Sequence, residues 1–337
     1  MNDSIPTPTR RVRATMIKRA TASIALASVA SLAVAACSSG GSSGSTTSGG
    51  GKKSSKTTVA LVTINETAAF FTQMNKGAQA EAKKLGVSLI INNPDNAVSK
   101  QNTAVEDYAN QGIKAEIVDS INGPSVYSAI KYAHGKGTHI VAVDSILDSP
   151  AVDTQIGVDN EAAGKQLGDY YCTWAKTNLP QGKGKIGVVA ALNSPIQIQR
   201  QKGFVNTAKA CGGSIVQTVD GQNVESTAQT AAQNLVTAQP SMTVVYDTGE
   251  PANIGAISAL KQAKSKAALF GWDLDPAGIA AIKSGAEVAA IQQNPYQEGV
   301  EAVEAAVKLI EGQQAPKNVT APATVITKRN VGSVTPY

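Results

Sequence analysis

The chain has 337 residues, 42% of them hydrophobic and 4% aromatic, with a formal net charge of +5, two histidines and three cysteines. That length suits two ordinary domains better than one, and so few histidines and cysteines leave little material for a metal site or a histidine relay. The positive charge is concentrated at the start: residues 1–56 hold eight Lys/Arg and one acid, leaving 22 basic and 24 acidic residues for 57–337, so electrostatics give no case for a nucleic-acid partner.

Residues 10–19 are basic, and residues 20–36 are small and apolar with no charge after Arg19. These are the n-region and h-region of an export signal. The apolar run is somewhat short of the roughly 20 residues of a transmembrane helix. Arg10-Arg11 raises a twin-arginine route, which Val12 and Arg13 fit poorly. The run ends Val34-Ala35-Ala36-Cys37. This resembles a bacterial lipobox, in which Cys37 is lipidated and becomes the mature N-terminus; the alternative is a plain secretory signal with an incidental cysteine. Residues 38–56 are Ser, Gly, Thr and Lys, a tether that cannot bury enough surface to fold and reaches roughly 25 Å as a coil.

From Val59 onwards short β-rich runs alternate with helical patterns. Strands are predicted at 59–64, 88–92, 115–119, 139–144 and 155–158, with helices at 69–85, 100–110 and 125–134 between them. The rhythm then resumes, with helices at 161–177, 198–210, 225–237, 254–264, 277–284 and 297–311. Strands fall at 186–190, 214–219, 243–246, 267–272, 287–292 and 323–326. Such alternation predicts an α/β fold with parallel sheets covered on both faces. Two runs of it predict two similar lobes, each a doubly wound parallel sheet. A single barrel is the rival, disfavoured because the strand at 155–158 interrupts the repeat.

Cys172 and Cys211 stand near the ends of predicted helices in one half of an exported domain, where disulfides are permitted, and are expected to pair; two buried thiols are the alternative. Three apolar runs end in a carboxylate, at Asp144, Asp159 and Asp273. Ligands collect outside the carboxyl ends of parallel strands, and a carboxylate there accepts from hydroxyls. Each Asp has the alternative of capping the next helix.

With these features in place, residues 58–328 resemble a type I periplasmic binding protein of the sugar-binding, ribose-binding-protein-like group. The resemblance is carried by Val59-Ala60-Leu61-Val62, Phe70-Phe71, Gly77-Ala78, Val143-Asp144, Val158-Asp159-Asn160 with Gly164, Arg200 with Gly203-Phe204, Gly271-Trp272-Asp273 and Ile291-Gln292-Gln293-Asn294-Pro295. It implies discontinuous lobes, 57–158 plus 294–322 and 159–293 plus 323–337, following a signal at 1–36 and the tether at 37–56. The ligand would bind in the cleft at the hinge, with the lobes closing over it. Phe70 and Phe71 match an aromatic pair that packs on a sugar ring, Asp144 a hydroxyl acceptor, Arg200 a donor, and Asp273 with Gln293 the opposite wall. Ser145, Asn160, Asn223 and Glu250 are secondary candidates. Ala68, Ser145, Asn223 and the Gly249-Glu250 turn depart from the pattern, which has Asn, Arg, an aromatic residue and Asn there. Trp272 is read as support beneath the site, and Asp159 as a residue of the lobe crossing.

The implied function is capture of a small polar ligand, a sugar or polyol, for an ABC permease by a monomer tethered to the outer face of the cell membrane. The alternative is a sensor presenting solute to a membrane receptor. No GxxxxGK[ST] loop, GxSxG elbow or zinc-ligand spacing is present, so neither catalysis, a cofactor nor a metal is expected.

Overall fold

The computed structural model describes residues 56–334. The expected export signal, Cys37 and the tether up to residue 55 lie outside that span. Twelve strands and nine α-helices follow one another among the described residues. The first series is β1 (Thr58–Val62), α1 (Ala69–Leu85), β2 (Ser88–Asn92), α2 (Val98–Asn110), β3 (Ala115–Val118), α3 (Gly123–Gly135), β4 (His139–Val143) and β5 (Thr154–Gly157). The second is α4 (Asn160–Asn178), β6 (Lys185–Ala190), α5 (Pro195–Ala210), β7 (Ser214–Asp220), α6 (Glu225–Ala238), β8 (Val244–Asp247), α7 (Glu250–Gln262), β9 (Ala268–Trp272), α8 (Pro276–Ser284) and β10 (Glu287–Gln292). The chain ends with α9 (Pro295–Ile310), β11 (Asn318–Thr320) and β12 (Thr324–Thr327).

Two open six-stranded sheets result, ordered β11-β5-β4-β3-β1-β2 and β12-β10-β9-β8-β6-β7, which excludes the barrel. Every pairing is parallel except that of β12 with β10. The chain leaves the first sheet after β5 and returns after β10. It then gives α9 to the apolar core of the first sheet, β11 to that sheet's edge and β12 to the other. The strand β11 is a departure from expectation: Asn318 and Thr320 are polar, and three residues carry no readable period. Four helices also begin earlier than their apolar periods do, at Val98, Gly123, Pro195 and Glu250. Pro124, Pro195 and Pro251 explain three of these starts, because proline fits the first turn, where N–H groups have no intrahelical partner.

In each half, one helix pair crosses at glycine. A Cβ on Gly164 would lie 2.3 Å from the Arg200 carbonyl oxygen, and one on Gly203 2.1 Å from that of Glu161, so α4 and α5 meet backbone to backbone. Gly77 against Tyr296 and Gly299 against Met74 do the same for α1 and α9. The pair α4/α5 is also joined covalently: Cys172 and Cys211 form a disulfide with Cα atoms 5.9 Å apart.

The second core gathers most of the large aromatics. Phe204 stacks on Tyr246 with centroids 3.8 Å apart, and Tyr171, Phe270 and Trp272 complete the cluster. No helix among the described residues is long and apolar enough to cross a membrane.

Candidate functional site

Strand order reverses direction within each sheet, and polar residues collect at the carboxyl ends of the central strands, where such folds place ligands. Asp144 follows β4 and Asp273 follows β9, and the two are built alike. The Asp144 N–H donates to the Ile156 carbonyl (2.9 Å) and the Asp273 N–H to that of Ile291 (2.8 Å). Both then turn into the left-handed region, with φ of 56° and 59°, which Asp tolerates better than most residues. The loop beyond each is tied by a glutamine of the neighbouring strand: Gln155 Oε1 accepts from Leu147 N (2.6 Å) and Gln292 Oε1 from Leu274 N (2.8 Å). The same local structure thus presents a carboxylate from each sheet.

Arg200 lies on the first turns of α5 and is buried. Its Nε donates to Asn160 Oδ1 (2.8 Å) and its Nη1 to the Thr248 carbonyl (3.2 Å). Nη1 also lies 3.6 Å from Asp273 Oδ2, and the guanidinium sits 4.2 Å above the Trp272 ring. Trp272 is held from below, its Nε1 donating to Tyr246 Oη (3.0 Å) and its backbone N–H to Asp247 Oδ1 (3.1 Å). Gln293 Nε2 donates to Asp273 Oδ2 (2.8 Å). Asp144 lies within electrostatic reach of Asp273 and Arg200, which belong to the other half. A second link crosses at α1, where the Phe70 N–H donates to the Glu250 carboxylate. Phe70 and Phe71 are buried on that first turn, edge to face with each other at 5.4 Å, and belong to the first core.

The secondary candidates Asn160, Ser145 and Asn223 each have partners within the protein. Asn160 is fully buried and holds Arg200 in place. The Ser145 hydroxyl faces inward, 2.8 Å from the Ser120 carbonyl and 3.0 Å from Asp119 Oδ1. Asn223 is exposed, and its Oδ1 accepts from Gln197 Nε2 (2.7 Å), whose Oε1 in turn accepts from Thr248. Asp159 caps α4 by accepting from Ala162 N, and Asp275 caps α8.

Three buried residues at this place were not anticipated: Asp119, Gln197 and Glu298. Asp119 ends the apolar run of β3 as Asp144 ends that of β4, so its signal was present in the sequence. Burial raises Asp119, Asp144, Glu250 and Glu298. Asp144 is pushed up to about 6 by burial, against the pull of Arg200 and with a further push from Asp273. Burial and then Asp273 and Asp275 raise Glu250 to about 7. Asp119 and Glu298 are driven well above the usual range, first by burial and then by neighbouring carboxylates. No group of three His, Cys, Asp or Glu among the described residues is placed to hold a metal ion.

Two open parallel sheets, crossed more than once by the chain and meeting at buried polar strand ends, define a two-lobed α/β binding protein of the periplasmic type I class. Residues 59–314 match the model of the periplasmic binding protein domain, and the chain belongs to that family. It is 27% identical over 272 residues to the ribose import binding protein of Escherichia coli (strain K12), covering 80% of this chain and 90% of the relative. It is also 27% identical over 274 residues to the xylitol-binding protein of Mycolicibacterium smegmatis, covering 80% and 77%. Among solved structures, an ABC transporter solute binding protein from Mycobacterium smegmatis with bound glycerol is 25% identical with a TM-score of 0.76, covering 83% of this chain and 96% of that one.

Proposed function

We propose that the protein is an extracytoplasmic solute-binding protein, anchored through a lipid on Cys37, that captures a sugar or polyol as a monomer and delivers it to an ABC permease without chemical change. The observation that carries the reading is Asp144, after a strand of one sheet, within electrostatic reach of Arg200 and Asp273 from the other half, with Gln293 bonded to Asp273 and all four at least nine-tenths buried. Carboxylate, guanidinium and amide groups satisfy hydroxyls in both directions, and their bonds strengthen when water is excluded. Sheet membership supports lobes of 57–158 plus 294–322 and 159–293 plus 323–337. The relatives' printed names, ribose import and xylitol binding, support the ligand class.

Thermal-shift screening of the full chain against sugars and polyols is the test. A ligand at 100 times its Kd stabilises by about 2.7 kcal/mol, a shift of roughly 5 °C for a domain of this size. No shift with any member of a broad panel would sink the reading. Cys37→Ser should move the protein from the membrane fraction to the soluble one. Unchanged sugar uptake in a deletion strain would reject the transport role and leave sensing.

A further inference from the structure

Acceptors outnumber donors where the strand ends meet. Asp119, Asp144, Asp273, Glu250 and Glu298 form a connected set of carboxylates, each within electrostatic reach of at least one other. Arg200 is the cation acting on Asp144 and Glu298, and its Nε and Nη1 are directed at Asn160, Thr248 and Asp273. Glu298, on the first turn of α9, is 0% exposed, and neither of its carboxylate oxygens has a hydrogen-bond partner. Asp119 Oδ2 is likewise buried and without a partner. The Ser145 hydroxyl is turned towards Asp119 Oδ1 and the Ser120 carbonyl.

Buried carboxylates without partners are costly unless something supplies donors or charge. Hydroxyls of a neutral polyol supply donors but no charge. A metal ion would supply charge, but no three of these groups among the described residues converge closely enough to bind one. A protonated primary amine supplies three N–H donors and one positive charge from a single small group.

We propose that the ligand is a small sugar or polyol bearing a protonated amine, its ammonium received by Asp144 with Glu298 and Asp119 behind it. This rests on the binding reading above and narrows it. On binding, a neutral carboxyl of the set gives up its proton to solvent and pairs as carboxylate with the ammonium; no covalent bond changes.

The test is calorimetry and thermal shift of the full chain at pH 7 with matched triads: D-glucose, D-glucosamine and N-acetyl-D-glucosamine; the galactose counterparts; and an inositol with its amino-deoxy derivative. The expected result is that at least one amine binds ~10-fold or more tightly than both its neutral parent and its N-acetyl form, the gain typical of a desolvated charge pair. Titrations in buffers of different ionisation enthalpy should show proton release with the amine. Glu298→Gln should bring the ratio of amine to parent affinity towards one, with Asp119→Asn as a second variant should the first fail to fold. Neutral parents binding as tightly as the amines, without proton release, would overturn the inference while leaving the solute-binding reading intact. Silence from every compound, neutral or charged, would overturn both.

Discussion

Replacing Arg200 with methionine separates the charge of this side chain from its packing. Methionine still covers the Trp272 ring, which the guanidinium meets at 4.2 Å. What disappears is the donor to Asn160 Oδ1 and to the Thr248 carbonyl, and the counterion of Asp273 at 3.6 Å. Removing one partner of a buried pair costs about 3–5 kcal/mol, because the other charge is left uncompensated. At about 2 °C per kcal/mol for a fold of this size, the unliganded melting temperature should fall by roughly 6–10 °C at pH 8. The loss should be smaller at pH 5. Asp144 already titrates at about 6 with Arg200 pulling it down, so removing Arg200 raises it further. Its folded value lies above the ordinary 3.8, so the native state holds this proton where the unfolded chain has released it. The penalty for ionising it is therefore complete above about pH 6 and shrinks progressively as pH falls from there towards 3.8. Scanning fluorimetry of wild type and variant at both pH values reads the difference. An equal loss at pH 5 and pH 8, or a loss under about 2 °C at pH 8, would refute the electrostatic account of the site.

Asp273→Asn should abolish any ligand-induced thermal shift, and Asp273→Ala should do so with an additional unliganded cost of about 1–2 kcal/mol, because alanine at φ 59° lacks the tolerance of Asp and Asn; equal unliganded melting of the two variants would remove backbone strain from the explanation. Glu116, inside the first sheet and without partners for either oxygen, is raised by burial from 4.5 to about 8. The unfolded chain releases this proton near pH 4.5 while the native state keeps it up to about 8, so the fold weakens across that window. Glu116→Gln should accordingly stabilise by on the order of 4 kcal/mol at pH 9 and progressively less towards pH 5, as read by denaturant titration; a pH-independent difference would contradict the assignment. Reduction of Cys172–Cys211, 39 residues apart, should cost about 4 kcal/mol on the chain-entropy estimate, visible as a lower melting temperature with reductant and absent in a Cys172→Ser, Cys211→Ser variant.

The alternation of elements was readable because parallel strands buried on both faces are continuous apolar runs, and the helices between them end at glycines such as Gly86 and Gly285 in the left-handed conformation. The short polar β11 had no such signature. Within the site, Asp144 and Asp273 were readable because each ends an apolar strand run, whereas Arg200 and Gln293 came from the resemblance to the sugar-binding family. Asp119 obeyed the same rule and was overlooked. Glu298 could not be found that way. An acidic residue in a first helical turn ordinarily complements the helix dipole in solvent, and only the seating of α9 against the first sheet turns it inward. The partners of Asn160 and Ser145 were not legible in sequence, since which way a short polar side chain points depends on residues 40 and 26 positions away.

The glycine crossings bear on how the two halves move. The helix α4 starts at Asn160 and α9 at Pro295, each directly after the chain passes from one sheet to the other. Each is clamped at the backbone to a second helix, α4 to the one that carries Arg200 and α9 to the one that carries Phe70 and Phe71. Rotation at either passage therefore turns a clamped pair rather than a single helix free to slide. The candidate site residues ride at the ends of lever arms of fixed length, and a bulky residue at Gly164 or Gly77 would displace them while leaving every one of them chemically intact.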